Sequence, residues 1–155
     1  MQSERAVSSV HDRGGKTVLS SFVLDCSVAM AWCFNDESNA YTDAALEKTG
    51  AGGAFVPSIW PLEIQNVLLV AERRGRLEQA QSARFLEVLA ALPIHIDQGH
   101  TEWPSGELMA IARELKLSAY DAAYIELAMR QGAPLATLDK RLQKAARKVG
   151  VPLLT

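Results

Sequence analysis

Short apolar runs alternate with segments of helical periodicity along this chain, and this alternation restricts the fold more than any other feature. A run that is mainly hydrophobic indicates a strand buried on both faces, as in parallel sheets. Such runs occupy residues 22–25 (FVLD), 54–57 (AFVP), 94–97 (IHID) and 134–137 (PLAT), with 152–154 as a candidate fifth. Strands that alternate with helices predict an α/β protein with a parallel sheet covered by helices.

Capping residues and glycines predict where the helices begin and end. Ser27 is expected to cap a helix over 28–34, and Ser58 a longer helix that ends near Arg74. Ser118 and Asp139 are expected to cap two later helices, whose apolar residues recur at helical spacing. These helices end at Gly132 and Gly150. The remaining helices are predicted over 39–48, over 77–92 and from Thr101 or Ser105 to about Leu115.

Length and composition predict one ordinary globular domain. The 155 residues are 48% hydrophobic and 22% charged, which suits a single core. Residues 1–20 are polar and show no periodicity, so we expect a flexible N-terminal arm before a domain over 21–155. The longest aliphatic run, 67–71, is far shorter than a membrane span. With two cysteines and no secretory signal, the expected location is the cytoplasm.

Four acidic residues stand at the ends of predicted elements. Asp25 closes the first strand and Asp139 follows the fourth, while Glu63 and Asp121 lie in the first turns of helices. In open parallel sheets, the binding crevice lies outside the carboxyl ends of the strands. Each acid taken singly has an ordinary interpretation, because first-turn acids and N-caps commonly stabilise helices. Together they predict one acidic cleft.

Four carboxylates in one cleft repel one another, so a cation is expected there. Two unit charges 4 Å apart cost about 4 kcal/mol at an effective dielectric constant near 20. Oxygen ligands without histidine or cysteine favour a hard metal ion, namely Mg²⁺, for which Mn²⁺ can substitute. Such an ion can orient a phosphodiester and lower the pKa of an attacking water.

The last predicted helix carries positive charge on one face. Lys140, Lys144, Arg147 and Lys148 recur at helical spacing directly after Asp139. A basic face is most often a solvated helix surface. Its position beside an acid also makes it a candidate for binding substrate phosphates. The net charge of −2 means that any polyanion has to be bound by such a local patch.

At these residues the chain resembles a PIN domain, specifically the VapC-type toxins of toxin–antitoxin pairs. The resemblance rests on LDCSVAMAW (24–32), VPSIWPLEIQNVL (56–68), LSAYDAAYIELA (117–128) and LATLDKRLQKAARKVGVPLL (135–154). Each motif is weak alone, but four in the right order with an acid in each are specific. The resemblance implies a three-layer α/β/α sandwich with a central parallel sheet of four to five strands in the order 3-2-1-4-5. It also implies a Mg²⁺-dependent endoribonuclease.

The resemblance further implies roles for individual residues. The catalytic acidic quartet would be Asp25, Glu63, Asp121 and Asp139, with Asp25 and Asp121 as the metal ligands. Supporting residues would orient these carboxylates or their waters; they are Ser27, Asn66 and Thr137.

The resemblance also implies partners. These are an RNA substrate, a cognate VapB-like antitoxin and a second copy of the chain in a homodimer. Contact with DNA would be indirect, through the antitoxin, and no membrane association is expected.

Three other functions fit part of the pattern. One is a PIN-fold module that binds RNA or protein without cutting it. Another is a receiver-like phosphoacceptor, because an acid after strand one and a T-x-D-K motif superficially match that chemistry. The third is a DNA-directed nuclease on the same fold, since no motif reads the 2′-hydroxyl group.

Overall fold

Four short strands form a parallel sheet at the centre of the molecule. The computed structural model describes residues 21–99 and 106–155. Its strands are β1 (Phe22–Leu24), β2 (Ala54–Val56), β3 (Ile94–Ile96) and β4 (Leu135–Ala136), arranged in the order β3-β2-β1-β4. The prediction of a parallel sheet is therefore confirmed, with each strand at the predicted place in the chain.

The central position of β1 explains its continuous hydrophobicity. Val23 is paired with Phe55 of β2 on one side and with Leu135 of β4 on the other. Every residue of β1 is fully buried, because helices cover both faces of the sheet.

Helices flank the sheet in the described part of the chain. They are α1 (Cys26–Cys33), α2 (Ala40–Gly52), α3 (Trp60–Arg73), α4 (Gln79–Ala91), α5 (Glu107–Leu115), α6 (Ala119–Gln131) and α7 (Lys140–Lys148), with a short 3₁₀ helix over Asn35–Glu37. Among the described residues, none of these helices has the length and apolar character needed to cross a bilayer. The predicted arm over 1–20 and the predicted helix starts at Thr101 and Ser105 lie outside the described residues.

The candidate fifth strand is reduced to a single bridge. Leu153 is paired in parallel with Leu135, and two backbone hydrogen bonds, Leu135 N to Pro152 O and Leu154 N to Leu135 O, hold this segment beside β4. The segment therefore occupies the fifth position of the predicted order without forming a strand. A receiver-like fold has the order 2-1-3-4-5, so the observed order contradicts the phosphoacceptor hypothesis.

Two of the four predicted serine and aspartate caps are wrong. Helix α1 already begins at Cys26, which places Ser27 inside the helix, and α3 begins after Ile59 rather than at Ser58. Pro61 lies in the first turn of α3, where its fixed φ and missing N–H are well tolerated. The Ser118 cap is confirmed, because its hydroxyl accepts a hydrogen bond from the Asp121 backbone N–H at 3.1 Å.

Two glycines at the end of α2 provide a matched test of the backbone. Gly53 has φ +81°, and an added Cβ would lie 3.0 Å from the Pro93 carbonyl oxygen, whereas Gly50 is helical with open space around it. We expect Gly53→Ala to lower the free energy of unfolding by at least about 1 kcal/mol, because alanine is strained at a positive φ angle. Gly50→Ala should raise it by about 0.5–1 kcal/mol. Urea denaturation measures both changes in the free energy of unfolding. Equal effects of the two substitutions would contradict the backbone conformations described for Gly50 and Gly53.

Candidate active site

The Asp25 carboxylate lies buried at the carboxyl end of β1, with only 7% of the residue exposed. Its backbone N–H donates to the Ala136 carbonyl at 3.0 Å, which fixes it beside β4. The Ser27 hydroxyl donates to Oδ2 at 2.6 Å, and the buried Thr137 hydroxyl donates to the same oxygen at 2.7 Å. Within the described chain, Oδ1 receives no side-chain hydrogen bond, and the backbone N–H of Ser27 also stabilises the charged carboxylate.

The same two hydroxyls connect Asp25 to the loop that follows β4. The Ser27 oxygen accepts from the Leu138 backbone N–H and the Thr137 oxygen from the Asp139 backbone N–H, both at 3.0 Å. The Asp139 carboxylate in turn accepts from the backbone N–H groups of α7, at 2.8 Å from Arg141. Asp139 thus caps α7, as predicted, and its side chain lies at the exposed edge of the acidic residues.

Glu63 is held by a side chain that the sequence analysis did not assign to it. The Tyr124 hydroxyl, on α6, donates to Glu63 Oε1 at 2.6 Å. Tyr124 is completely buried, so its ring fixes the phenol oxygen and thereby the Glu63 carboxylate. The spacing could have indicated this contact, because Tyr124 lies one helical turn after Asp121.

Three of the acids lie close enough to influence one another's ionisation. Burial raises the pKa of Asp25; the hydrogen bonds from Ser27 and Thr137 oppose this rise, and the charge of Asp121 adds to it. Burial also raises the pKa of Glu63, against the Tyr124 hydrogen bond and with the charges of Asp25 and Asp121. Carboxylates from the end of β1 and from the first turns of α3 and α6 therefore act on one another.

Other predicted site residues are not part of this cluster. Asn66 is exposed and makes no hydrogen bond to Glu63, whose partner is Tyr124. The basic residues of the last helix are all exposed on α7; they are Lys140, Lys144, Arg147 and Lys148.

The donor set of the cluster fits a hard cation. The groups that face one another are carboxylates, and burial raises the pKa of the neighbouring Cys26 thiol to about 12, so it stays protonated. Within 21–99 and 106–155, no three acid, histidine or cysteine side chains form a ready-made metal cage. Mg²⁺ suits such a site, because it keeps several waters and needs only one or two carboxylates.

The raised pKa values predict that stability falls with increasing pH. The folded protein holds protons on Asp25 and Glu63 that the unfolded chain releases at the ordinary values of 3.8 and 4.5. This contribution to stability is complete below those values and is lost as pH rises through the higher pKa values of the folded state.

We therefore expect Asp25→Asn to raise the free energy of unfolding in metal-free buffer at pH 7 and to flatten its decrease above pH 4. Urea denaturation between pH 4 and 7 in EDTA measures this effect. Glu87→Gln, which removes an exposed acid on α4, should leave the decrease unchanged. A variant that is less stable than the wild type at pH 7 would show that Asp25 stabilises the empty site.

Comparison with known proteins identifies the family. The PIN domain model matches residues 22–148. The VapC ribonuclease Mb0985 of Mycobacterium bovis and the ribonuclease VapC9 of Mycobacterium tuberculosis are each 32% identical over 122 residues, which is 77% of this chain and 87% of theirs. The solved structure of PAE2754 from Pyrobaculum aerophilum shares the fold, with a TM-score of 0.63 and 24% identity over 81% of this chain and 84% of that one. This chain therefore belongs to the PIN-domain family and, within it, to the VapC type.

Proposed function

We propose that this protein is a Mg²⁺-dependent endoribonuclease, the toxin of a toxin–antitoxin pair, and that it hydrolyses RNA phosphodiester bonds at its acidic cluster. The observation that carries the proposal is the mutual charge of Asp25, Glu63 and Asp121, which come from three distant parts of the chain. A protein that only needed a stable fold would gain nothing from this repulsion. The printed names of the mycobacterial relatives, which call them ribonucleases, support the same class of reaction.

In this proposal, Asp25 and Asp121 hold the metal ion. When bound, Mg²⁺ supplies positive charge that orients a phosphodiester, lowers the pKa of an attacking water and neutralises the leaving oxygen. The hydroxyls of Ser27 and Thr137 hold Asp25 Oδ2, which leaves Oδ1 for the ion. Glu63 and Asp139 complete the acidic quartet, with Asp139 positioned at the edge by its bonds to α7.

The proposed substrate contacts and partners extend beyond the acids. We propose that Lys140, Lys144, Arg147 and Lys148 attract the phosphates of RNA. A cognate VapB-like antitoxin and a homodimer are further proposals, which the resemblance to VapC-type toxins supports. With RNA as substrate, the proposed place of action is the cytoplasm.

The Asp121→Asn substitution tests the reaction directly. It removes one charge at nearly constant shape and leaves intact the backbone hydrogen bond to Ser118. We expect loss of RNA cleavage by at least a hundredfold, because a proposed metal ligand is lost. The measurement is cleavage of labelled total RNA in Mg²⁺, in Mn²⁺ and in EDTA.

Asp43→Asn is the matched control, because Asp43 is an acid in the first turn of α2. Both substitutions remove a favourable interaction with the helix dipole, worth about 0.3–1 kcal/mol, but at Asp121 the relief of repulsion from Asp25 and Glu63 offsets this loss. Only Asp121→Asn should lose cleavage. Full cleavage by Asp121→Asn would contradict its role. A folded wild type that binds Mn²⁺ without cutting any RNA would favour the non-cleaving module.

Tyr124→Phe tests how Glu63 is positioned. The hydrogen bond from Tyr124 opposes the rise in the pKa of Glu63, so its removal should raise that pKa further. We expect about tenfold slower cleavage, with the acidic limb of the pH–rate profile displaced to higher pH. Tyr120→Phe, which removes an exposed phenol on the same helix, should not displace the limb. A slower rate with an unmoved limb would mean that the phenol acts only through packing.

A further inference from the structure

A basic groove lies between the end of α5 and the side of α7. It has a volume of about 350 Å³, and its charged lining consists of Lys116, Arg141, Lys144, Lys148 and one acid, Glu114. Lys144 and Lys148 belong to the basic face predicted from the sequence. Arg141, Lys144 and Lys148 share one face of α7 through their spacing of three and four residues. Lys116 comes from the end of α5, so the tertiary structure adds this fourth cation to the groove.

Within the part of the chain that the structure describes, none of the four cations of the groove forms an ion pair with a carboxylate. Elsewhere the protein does pair its cations: Arg76 contacts Asp36 at 3.0 Å and Arg130 contacts Glu126 at 2.7 Å. Several like charges without partners around one concavity repel one another, which an anionic ligand would relieve.

The backbone at Lys116 is an independent sign of function. Lys116 ends α5 with φ +54°, and it is the one non-glycine residue with positive φ among those described. Helices commonly end in this conformation on a glycine, as α6 does at Gly132. A side chain with a Cβ is disfavoured there. Lysine is therefore a poor choice for the turn itself, but it adds a charge to the groove.

The helix dipole does not explain the positions of all four cations in the groove. Lys116 and Lys148 lie at helix C-termini, where a cation is favoured by the dipole. Arg141 lies in the first turn of α7, where the dipole disfavours a cation.

The groove begins where two of the site acids are placed. Lys116 precedes Asp121 by five residues, through the turn that Ser118 caps, and Arg141 donates its backbone N–H to Asp139. From Arg141 to Lys148 the groove follows α7 for about 10 Å. At one charge per few ångströms of a nucleic acid strand, this length meets more than one phosphate.

We propose that this groove, formed by Lys116, Arg141, Lys144 and Lys148, binds the phosphate backbone of the RNA strand that flanks the acidic cluster. The inference rests on the proposed function and extends it with residues beyond the acids. The groove acts by charge and is therefore tolerant of base sequence. It also compensates for the acids, which by themselves repel RNA.

The test measures RNA binding separately from RNA cleavage. The full chain carrying Asp121→Asn, which prevents cleavage, is titrated against a fluorescent single-stranded RNA oligonucleotide of mixed sequence at several salt concentrations. The groove variant adds Lys116→Gly, Arg141→Ala and Lys144→Ala. The control variant adds Arg73→Ala, Arg74→Ala and Arg84→Ala, which remove the same charge from exposed positions on α3, its C-cap and α4. Among the described residues, these three arginines form no ion pair.

We expect the groove variant to bind RNA at least tenfold more weakly than the control variant. The slope of log K against log salt should decrease by about 2, because each single-strand phosphate contact contributes about 0.7. Lys116→Gly alone should unfold at the same temperature as the parent or at a higher one, since glycine relieves the left-handed backbone. That result would show that a loss of RNA binding in this variant is not caused by a loss of folding.

Equal affinities and slopes for the two variants would overturn the proposal. If the wild type failed to cut RNA but the groove variant still lost RNA binding, the ribonuclease proposal would fail and the groove would stand. If the groove variant without Asp121→Asn cut and bound RNA like the wild type, the groove would fail and the ribonuclease would stand.

Discussion

The buried carboxylate of Asp25 is the interaction on which the site depends. It terminates the central strand, where helices and neighbouring strands exclude water. Two hydroxyls, from Ser27 on α1 and Thr137 after β4, share one of its oxygens. The same hydroxyls accept backbone N–H groups of the loop that leads to α7. One acid thus fixes the relative positions of β1, α1 and the start of α7.

This arrangement stores electrostatic repulsion in the folded state. Hydrogen bonds from two hydroxyls and from Tyr124 stabilise the charged forms of Asp25 and Glu63, but burial and mutual charge outweigh them and raise both pKa values. A cation placed among the carboxylates would reverse that balance, because opposite charge favours the ionised form. The cluster is in this sense prepared for an ion at some cost to stability, as is common at functional sites.

The charges around the cluster complement one another. A protein with a net charge of −2 and an acidic centre repels a polyanion at long range. The cations along α7 and at Lys116 provide local attraction beside the acids. Attraction beside repulsion would let the strand bind along the groove while the reacting phosphate is left to the metal ion. This division fits a nuclease better than a module that only binds, for which the acids would be a disadvantage.

The sequence by itself determined the strands, the alternation of helices, the caps at Ser118 and Asp139, and the placement of four acids at element ends. These features depend on local spacing and on hydrogen bonds between near neighbours, which a sequence displays directly. Tertiary structure decided which groups meet. Tyr124 reaches Glu63 across 61 residues and Thr137 reaches Asp25 across 112. Helix α1 begins at Cys26, so Ser27 lies inside the helix and donates to Asp25, and helix packing brought Lys116 to α7. Such pairings follow from strand order and helix packing, because side chains distant in sequence come together only when the sheet is assembled.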